Sequence, residues 1–164
     1  MFNIVLIEPQ IPPNTGSIGR MCVNLNATLH LVEPLGFDIS ESAVRRAGLD
    51  YWNQLDLKVW KNLEEFLKNN PIDKMHFATT KTDNIYWDVK YNVGDYIVFG
   101  SETKGIPEWL LKDNLDKTIT IPMGSKGRSL NLATSTGVVT YEALRQNYNN
   151  IDFNKIKINF KGEI

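Results

Sequence analysis

Cysteine and histidine, the side chains most used for nucleophilic, base and zinc chemistry, are scarce in this sequence and poorly placed for it. There is one cysteine, Cys22, and there are two histidines, His30 and His76. A single cysteine excludes an internal disulfide framework and a cysteine-cluster zinc site, and two such distant histidines match no zinc-ligand spacing. Leu29 and Leu31 flank His30, and Met75 and Phe77 flank His76. That is the setting of a packed, hydrogen-bonded histidine rather than of a triad base. No Gly-x-Ser-x-Gly elbow occurs. Gly16-Ser17-Ile18-Gly19 lacks the first glycine of a dinucleotide fingerprint, and Ile106 stands after Gly105 where a nucleotide-triphosphate loop needs lysine. Three polar clusters are left: Asn14, Gly16 and Arg20; Gly100, Ser101 and Glu102; and Ser129, Leu130 and Asn131. Each has a plain structural reading. Asn14 could cap a helix, Arg20 could be a solvated charge, residues 100–102 could be a turn, and Ser129 could cap the last helix.

What must position these clusters is a series of alternating elements. Ile4-Val5-Leu6-Ile7 is a short apolar run, broken by Glu8-Pro9-Gln10-Ile11-Pro12-Pro13. Ile18, Met21, Cys22 and Leu25 then recur at helical spacing. Residues 29–33 read as a strand, 41–47 and 63–69 as helices, and 75–80, 96–99 and 118–121 as further strands. Leu130, Ala133, Gly137, Tyr141 and Leu144 mark one face of a long final helix. Strands separated by helices predict an α/β domain with a mainly parallel sheet. In such sheets ligands bind at the loops beyond the carboxyl ends of the strands, where all three clusters fall.

Composition sets the class. The chain has 164 residues, 42% hydrophobic and 23% charged, with 18 Lys and Arg against 19 Asp and Glu. This is one ordinary globular domain, and its near-zero charge announces neither nucleic acid nor membrane. The first apolar run stops at Glu8 without a charged n-region, so a cytoplasmic protein is expected. Residues 147–164 read as an appendage in which Lys155, Lys157 and Lys161 interleave with Ile156, Ile158 and Phe160.

The clusters occur together in a recognisable order. Asn14-x-Gly16-x-x-x-Arg20, then Phe99-Gly100-Ser101-Glu102-x-x-Gly105-Ile106-Pro107, then Ile121-Pro122-Met123 with Ser129-Leu130-Asn131-Leu132-Ala133, resemble the three motifs of the SPOUT methyltransferases. Glu8-Pro9, Ile11 to Gly16 and Arg45-Arg46-Ala47-Gly48-Leu49-Asp50-Tyr51 narrow the resemblance. They point to the minimal YibK/TrmL-like tRNA (cytidine/uridine-2′-O)-methyltransferases. It spans about residues 2–146.

This resemblance implies an α/β fold with a C-terminal trefoil knot, S-adenosylmethionine as cofactor, no metal and a homodimer. It implies methylation of the ribose 2′-hydroxyl at the wobble nucleotide, cytidine or modified uridine, of leucine tRNA, with the anticodon stem-loop as partner. One domain is expected over 1–148, followed by a tail over 149–164. Carried over by motif, Ala78 or Thr79, Gly100, Ile121, Ser129 and Leu130 bind the cofactor, and Arg20 is catalytic with Asn14, Glu102 and Asn131. Tyr141 falls at a dimer contact. Other classes stay open: an rRNA 2′-O-methyltransferase, or a non-catalytic RNA- or small-ligand-binding α/β domain. The small-ligand domain would have no S-adenosylmethionine affinity, and the RNA-binding one would bind RNA regardless of Arg20.

Overall fold

A computed structural model describes residues 1–151. Six strands form one wholly parallel sheet in the order β3-β2-β1-β5-β4-β6. They are β1 (Asn3–Ile7), β2 (Thr28–Val32), β3 (Leu57–Trp60), β4 (Met75–Ala78), β5 (Tyr96–Phe99) and β6 (Thr118–Ile119). The helices are α1 (Pro12–Leu25), α2 (Glu41–Arg46), α3 (Leu63–Asn69), α4 (Glu108–Lys112) and α5 (Leu132–Gln146).

The apolar run of β1 is central because both of its faces are covered. Ile4 and Leu6 pack with Ile18, Cys22 and Leu25 of α1 and Val139 and Ala143 of α5. Val5 and Ile7 point the other way, into a cluster with Phe66 of α3 and Leu110 and Leu111 of α4. That is the two-residue alternation of a strand, read here as a three-layer domain. Burying one of these large aliphatic side chains stabilises the fold by roughly 1.5–3 kcal/mol.

Several boundaries differ from the sequence reading. The strand expected over 75–80 stops at Ala78, and the one expected over 118–121 stops at Ile119. β3 and α4 were not expected. Asn14 is not the cap of α1: the helix starts two residues earlier, with Pro12 and Pro13 in its first turn. Proline suits that turn because its missing N–H has no intrahelical partner there anyway. Nor does Ser129 cap α5; Asn131 does, its side-chain oxygen accepting from Thr134 N–H. The expected tail over 149–164 lies, beyond Ile151, outside the described residues.

Both histidines are structural, as their apolar strand settings suggested. His76 Nε2 lies 3.1 Å from Asp95 Oδ2. His30 is fully buried in β2. Its Nδ1 accepts from Trp60 Nε1 at 3.0 Å, so Nε2 carries the proton and donates to Asn3 Oδ1 at 3.1 Å. Burial, followed by the charge of Lys58, lowers its pKa from 6.5 to about 4. The folded state therefore holds the neutral ring, and protonation favours unfolding. The His30 contribution is complete above pH 6.5 and is lost as pH falls toward 4. The loss reaches roughly 3 kcal/mol. Urea unfolding of wild type and His30→Gln at pH 7 and pH 4.5 checks this: the variant's stability should fall less between the two.

Candidate active site

The strand-end loops converge on one cleft of about 500 Å³, within the ordinary range for small-ligand sites. Three loops build most of it: the one after β4, the one after β5, and residues 120–131 between β6 and α5, with Ile11 and Asn14 at the start of α1 closing it. Ala78, Thr79, Gly100, Ile121, Ser129 and Leu130 all line it, and so do Asn14, Glu102 and Asn131. Of the candidate residues at the site, Arg20 alone is not among the lining residues.

Gly100 is where the backbone is most crowded. A Cβ at this position would stand 1.9 Å from the carbonyl carbon of Gly105 and 2.1 Å from the nitrogen of Ile106. A side chain here would strike the loop's own returning backbone. That return is a tight one: Gly105 N–H donates to Ser101 carbonyl oxygen at 2.9 Å, and Gly105 takes φ +69, a conformation that favours glycine. Next to it, Thr79 N–H donates to Ile119 carbonyl oxygen at 2.9 Å, tying the ends of β4 and β6 together.

A chain of polar contacts joins the three motifs. Glu102 accepts from the backbone N–H of Gln10 at 2.9 Å, from that of Ile11 at 3.2 Å and from Asn14 Nδ2 at 2.9 Å. Asn131 Nδ2 donates to Asn14 Oδ1 at 2.9 Å. Burial by itself would raise the Glu102 pKa, but the hydrogen bonds from Asn14, Gln10 and Ile11 outweigh it and hold the carboxyl below its ordinary value. Glu102 is thus an ionised clamp between the β1–α1 and β5–α4 loops, with three donors directed at its two oxygens. Such a carboxylate is a weak proton acceptor.

Arg20 sits elsewhere on α1. Its guanidinium lies 4.7 Å from the centroid of the Tyr51 ring and 4.0 Å from Asp50 Oδ1, and its side chain is 62% exposed. Tyr141 is half exposed on α5. Lys81, Ser101, Met123 and Ser135 also line the cleft. Ser101 and Met123 lie inside the motifs, and Lys81 falls in the loop after β4, where the strand-end rule places ligands. Ser135, inside α5, carried no signal in the sequence.

The lining fits an adenosyl ligand: apolar side chains at 121 and 130, small residues at 78, 79 and 100, and a hydroxyl at 129. Among the described residues no group of three His, Cys, Asp or Glu side chains could hold a metal ion. Among them, too, no helix is long and apolar enough to cross a membrane.

The family model of the SpoU rRNA methylases matches residues 1–141. A relative from Saccharophagus degradans named tRNA (cytidine(34)-2′-O)-methyltransferase is 44% identical over 147 residues, covering 89% of this chain and 96% of the relative. A solved structure concerned with 2-OH methylation of C/U34 on tRNA superposes with a TM-score of 0.84 at 38% identity, covering 91% of this chain and 97% of its own. An AdoMet-bound rRNA methyltransferase from Sinorhizobium meliloti shares the fold, with a TM-score of 0.75 at 22% identity, over 88% of this chain and 56% of its own.

Proposed function

Since the chain belongs to the SpoU rRNA methylase family, we propose that it methylates the ribose 2′-hydroxyl of nucleotide 34 in tRNA, with S-adenosylmethionine as donor. The observation that carries this is the near full-length likeness to a relative of that name. The cleft at the strand ends, with its adenosyl-compatible lining, agrees with it. S-adenosylmethionine, when bound, supplies an activated methyl group. The work left to the protein is to hold the ribose in line and to stabilise the oxygen as it loses its proton.

Residues divide accordingly. Gly100 lets the 100–106 loop fold tightly into the cleft wall, the small residues Ala78 and Thr79 let backbone approach the ligand, Ile121 and Leu130 flank the ligand's base, and Ser129 donates a hydrogen bond. A guanidinium stays protonated in proteins, so Arg20 is no proton acceptor. Its role is to grip ribose and phosphate and to offset oxyanion charge. Asn14, Glu102 and Asn131 fix the loops around the pocket. The anticodon stem-loop of leucine tRNA is the substrate, through either cytidine or modified uridine. Residues 1–148 form the methyltransferase domain, with 149–164 as a tail.

The same reading includes a homodimer and a C-terminal trefoil knot. Arg20 stands apart from the cleft of its own chain, which supports a site completed by a second copy. Tyr141, half exposed on α5, supports the last helix as part of the interface.

Two experiments test these statements. Mapping 2′-O-methyl groups in total RNA with and without the gene should show loss at nucleotide 34 of leucine tRNA. Loss from rRNA alone would sink the tRNA assignment. Tyr141→Ala should weaken association and tRNA methylation together, measured by light scattering and methyl incorporation. A wild-type monomer at micromolar concentration removes the dimer.

A further inference from the structure

The segment after α2 is part of the family resemblance, yet residues 47–51 line no part of the cleft. It docks on the helix that carries Arg20. Gly16 and Gly19 are three residues apart on α1, so their missing Cβ atoms leave one flat strip. A Cβ at Gly16 would stand 3.4 Å from Leu49 Cδ2 and 3.5 Å from the Tyr51 hydroxyl oxygen. One at Gly19 would stand 3.3 Å from the Trp52 ring and 3.6 Å from the Tyr51 ring. The glycines thus admit residues 49–52 to close contact with the helix.

Tyr51 is buried against that strip. Its hydroxyl donates to the Gly16 carbonyl oxygen. In an α-helix that carbonyl also accepts from the N–H four residues on, which here is Arg20. The Tyr51 ring carries the Arg20 guanidinium 4.7 Å from its centroid. One aromatic residue therefore holds the helix turn below the arginine and one face of its charged head. Burial raises the Tyr51 pKa, which keeps the phenol a neutral donor. Asp50 adds little: it lies 4.0 Å from the guanidinium and is 88% exposed.

We infer that Tyr51 is the positioning residue of Arg20, stacking on one face of the guanidinium so that its N–H edge is aimed outward for ribose and phosphate. This rests on the reading of Arg20 as the residue that grips the substrate. An unstacked arginine samples many rotamers, each of which must be given up in the transition state. A stacked one is preorganised. The motif stretch that ends at Tyr51 then has a chemical reason to accompany Arg20.

The test uses the full-length protein, S-adenosylmethionine and a leucine tRNA transcript, with single-turnover rates at saturating tRNA. Tyr51→Leu should slow methylation about 10- to 100-fold with cofactor affinity unchanged by calorimetry. Tyr51→Phe, which keeps the ring, should stay within about threefold of wild type. Added to Arg20→Ala, Tyr51→Leu should cost less than about a further twofold, because the residue acts through the arginine. Additive losses, or an effect confined to tRNA KM, overturn the inference. A normal rate in Arg20→Ala overturns the Arg20 reading itself, whatever the Tyr51 variants do. If Tyr51→Leu fails to fold, the Arg20 Nε–H resonance decides. Stacking shifts it upfield in wild type and in Tyr51→Phe, and an unshifted signal in both overturns the inference.

Discussion

Arg20→Lys is expected to lose about a hundredfold or more of the single-turnover methylation rate, roughly 2.7 kcal/mol of barrier, while S-adenosylmethionine affinity is unchanged. The two halves of the expectation have separate grounds. Cofactor affinity is spared because Arg20 does not line the cleft that holds the adenosyl ligand's expected contacts. The rate is lost although charge is kept, because lysine offers a point charge where arginine offers a planar fork. The fork can contact a ribose oxygen and a phosphate together, and a single ammonium cannot do both in one geometry. Stacking on the Tyr51 ring is also a property of the planar group. Calorimetry with S-adenosylmethionine and rapid-quench methyl transfer separate the two. A near-normal rate in Arg20→Lys would show that charge alone suffices and would discard the positioning role.

The second large effect is expected at Gly100. Gly100→Ala should abolish S-adenosylmethionine binding and lower the thermal midpoint, although only one methyl group is added. Its Cβ would lie about half the normal contact distance from two backbone atoms, at 1.9 and 2.1 Å, and backbone cannot swing aside as a side chain does. Relief requires the 100–106 loop to open. That loop carries Ser101 and Glu102 and forms one wall of the cleft. Opening it also pulls Glu102 from Gln10, Ile11 and Asn14, so the damage spreads to the first motif. Gly124→Ala is the control: a Cβ there meets nothing within 4 Å, and stability should stay within about 0.5 kcal/mol. Wild-type cofactor affinity in Gly100→Ala would show that the loop yields freely and that Gly100 is not needed.

Read from the residues, the central strands were plain, because Ile4 to Ile7 and Tyr96 to Phe99 are continuous apolar runs and only a strand covered on both faces needs one. β3 was not, since Leu57, Lys58, Val59 and Trp60 are half buried or exposed and resemble any surface segment. It exists through pairing with β2, a partner that no window around residue 57 contains. α4 is five residues long, too short for a helical period to show. Locally Pro12 and Pro13 read as part of a break, whereas the tertiary packing of α1 uses them as its first turn.

The site divides along the same line. Motif order and the strand-end rule located the cleft and nearly all of its expected residues, because loops at strand ends are a consequence of chain direction alone. They did not reveal that Asn14 would leave the helix-capping role to bond Glu102, 88 positions away. Nor did they reveal that the backbone itself, rather than a ligand, crowds Gly100. Arg20 was singled out through the resemblance of the first motif, but its separation from the cleft and its seat on Tyr51 belong to the folded chain. Periodicity and turn chemistry are local, so they determined most of the elements and the ends at which chemistry gathers. Contacts between residues tens of positions apart depend on how sheet and helices pack, and that packing decided which side chains meet.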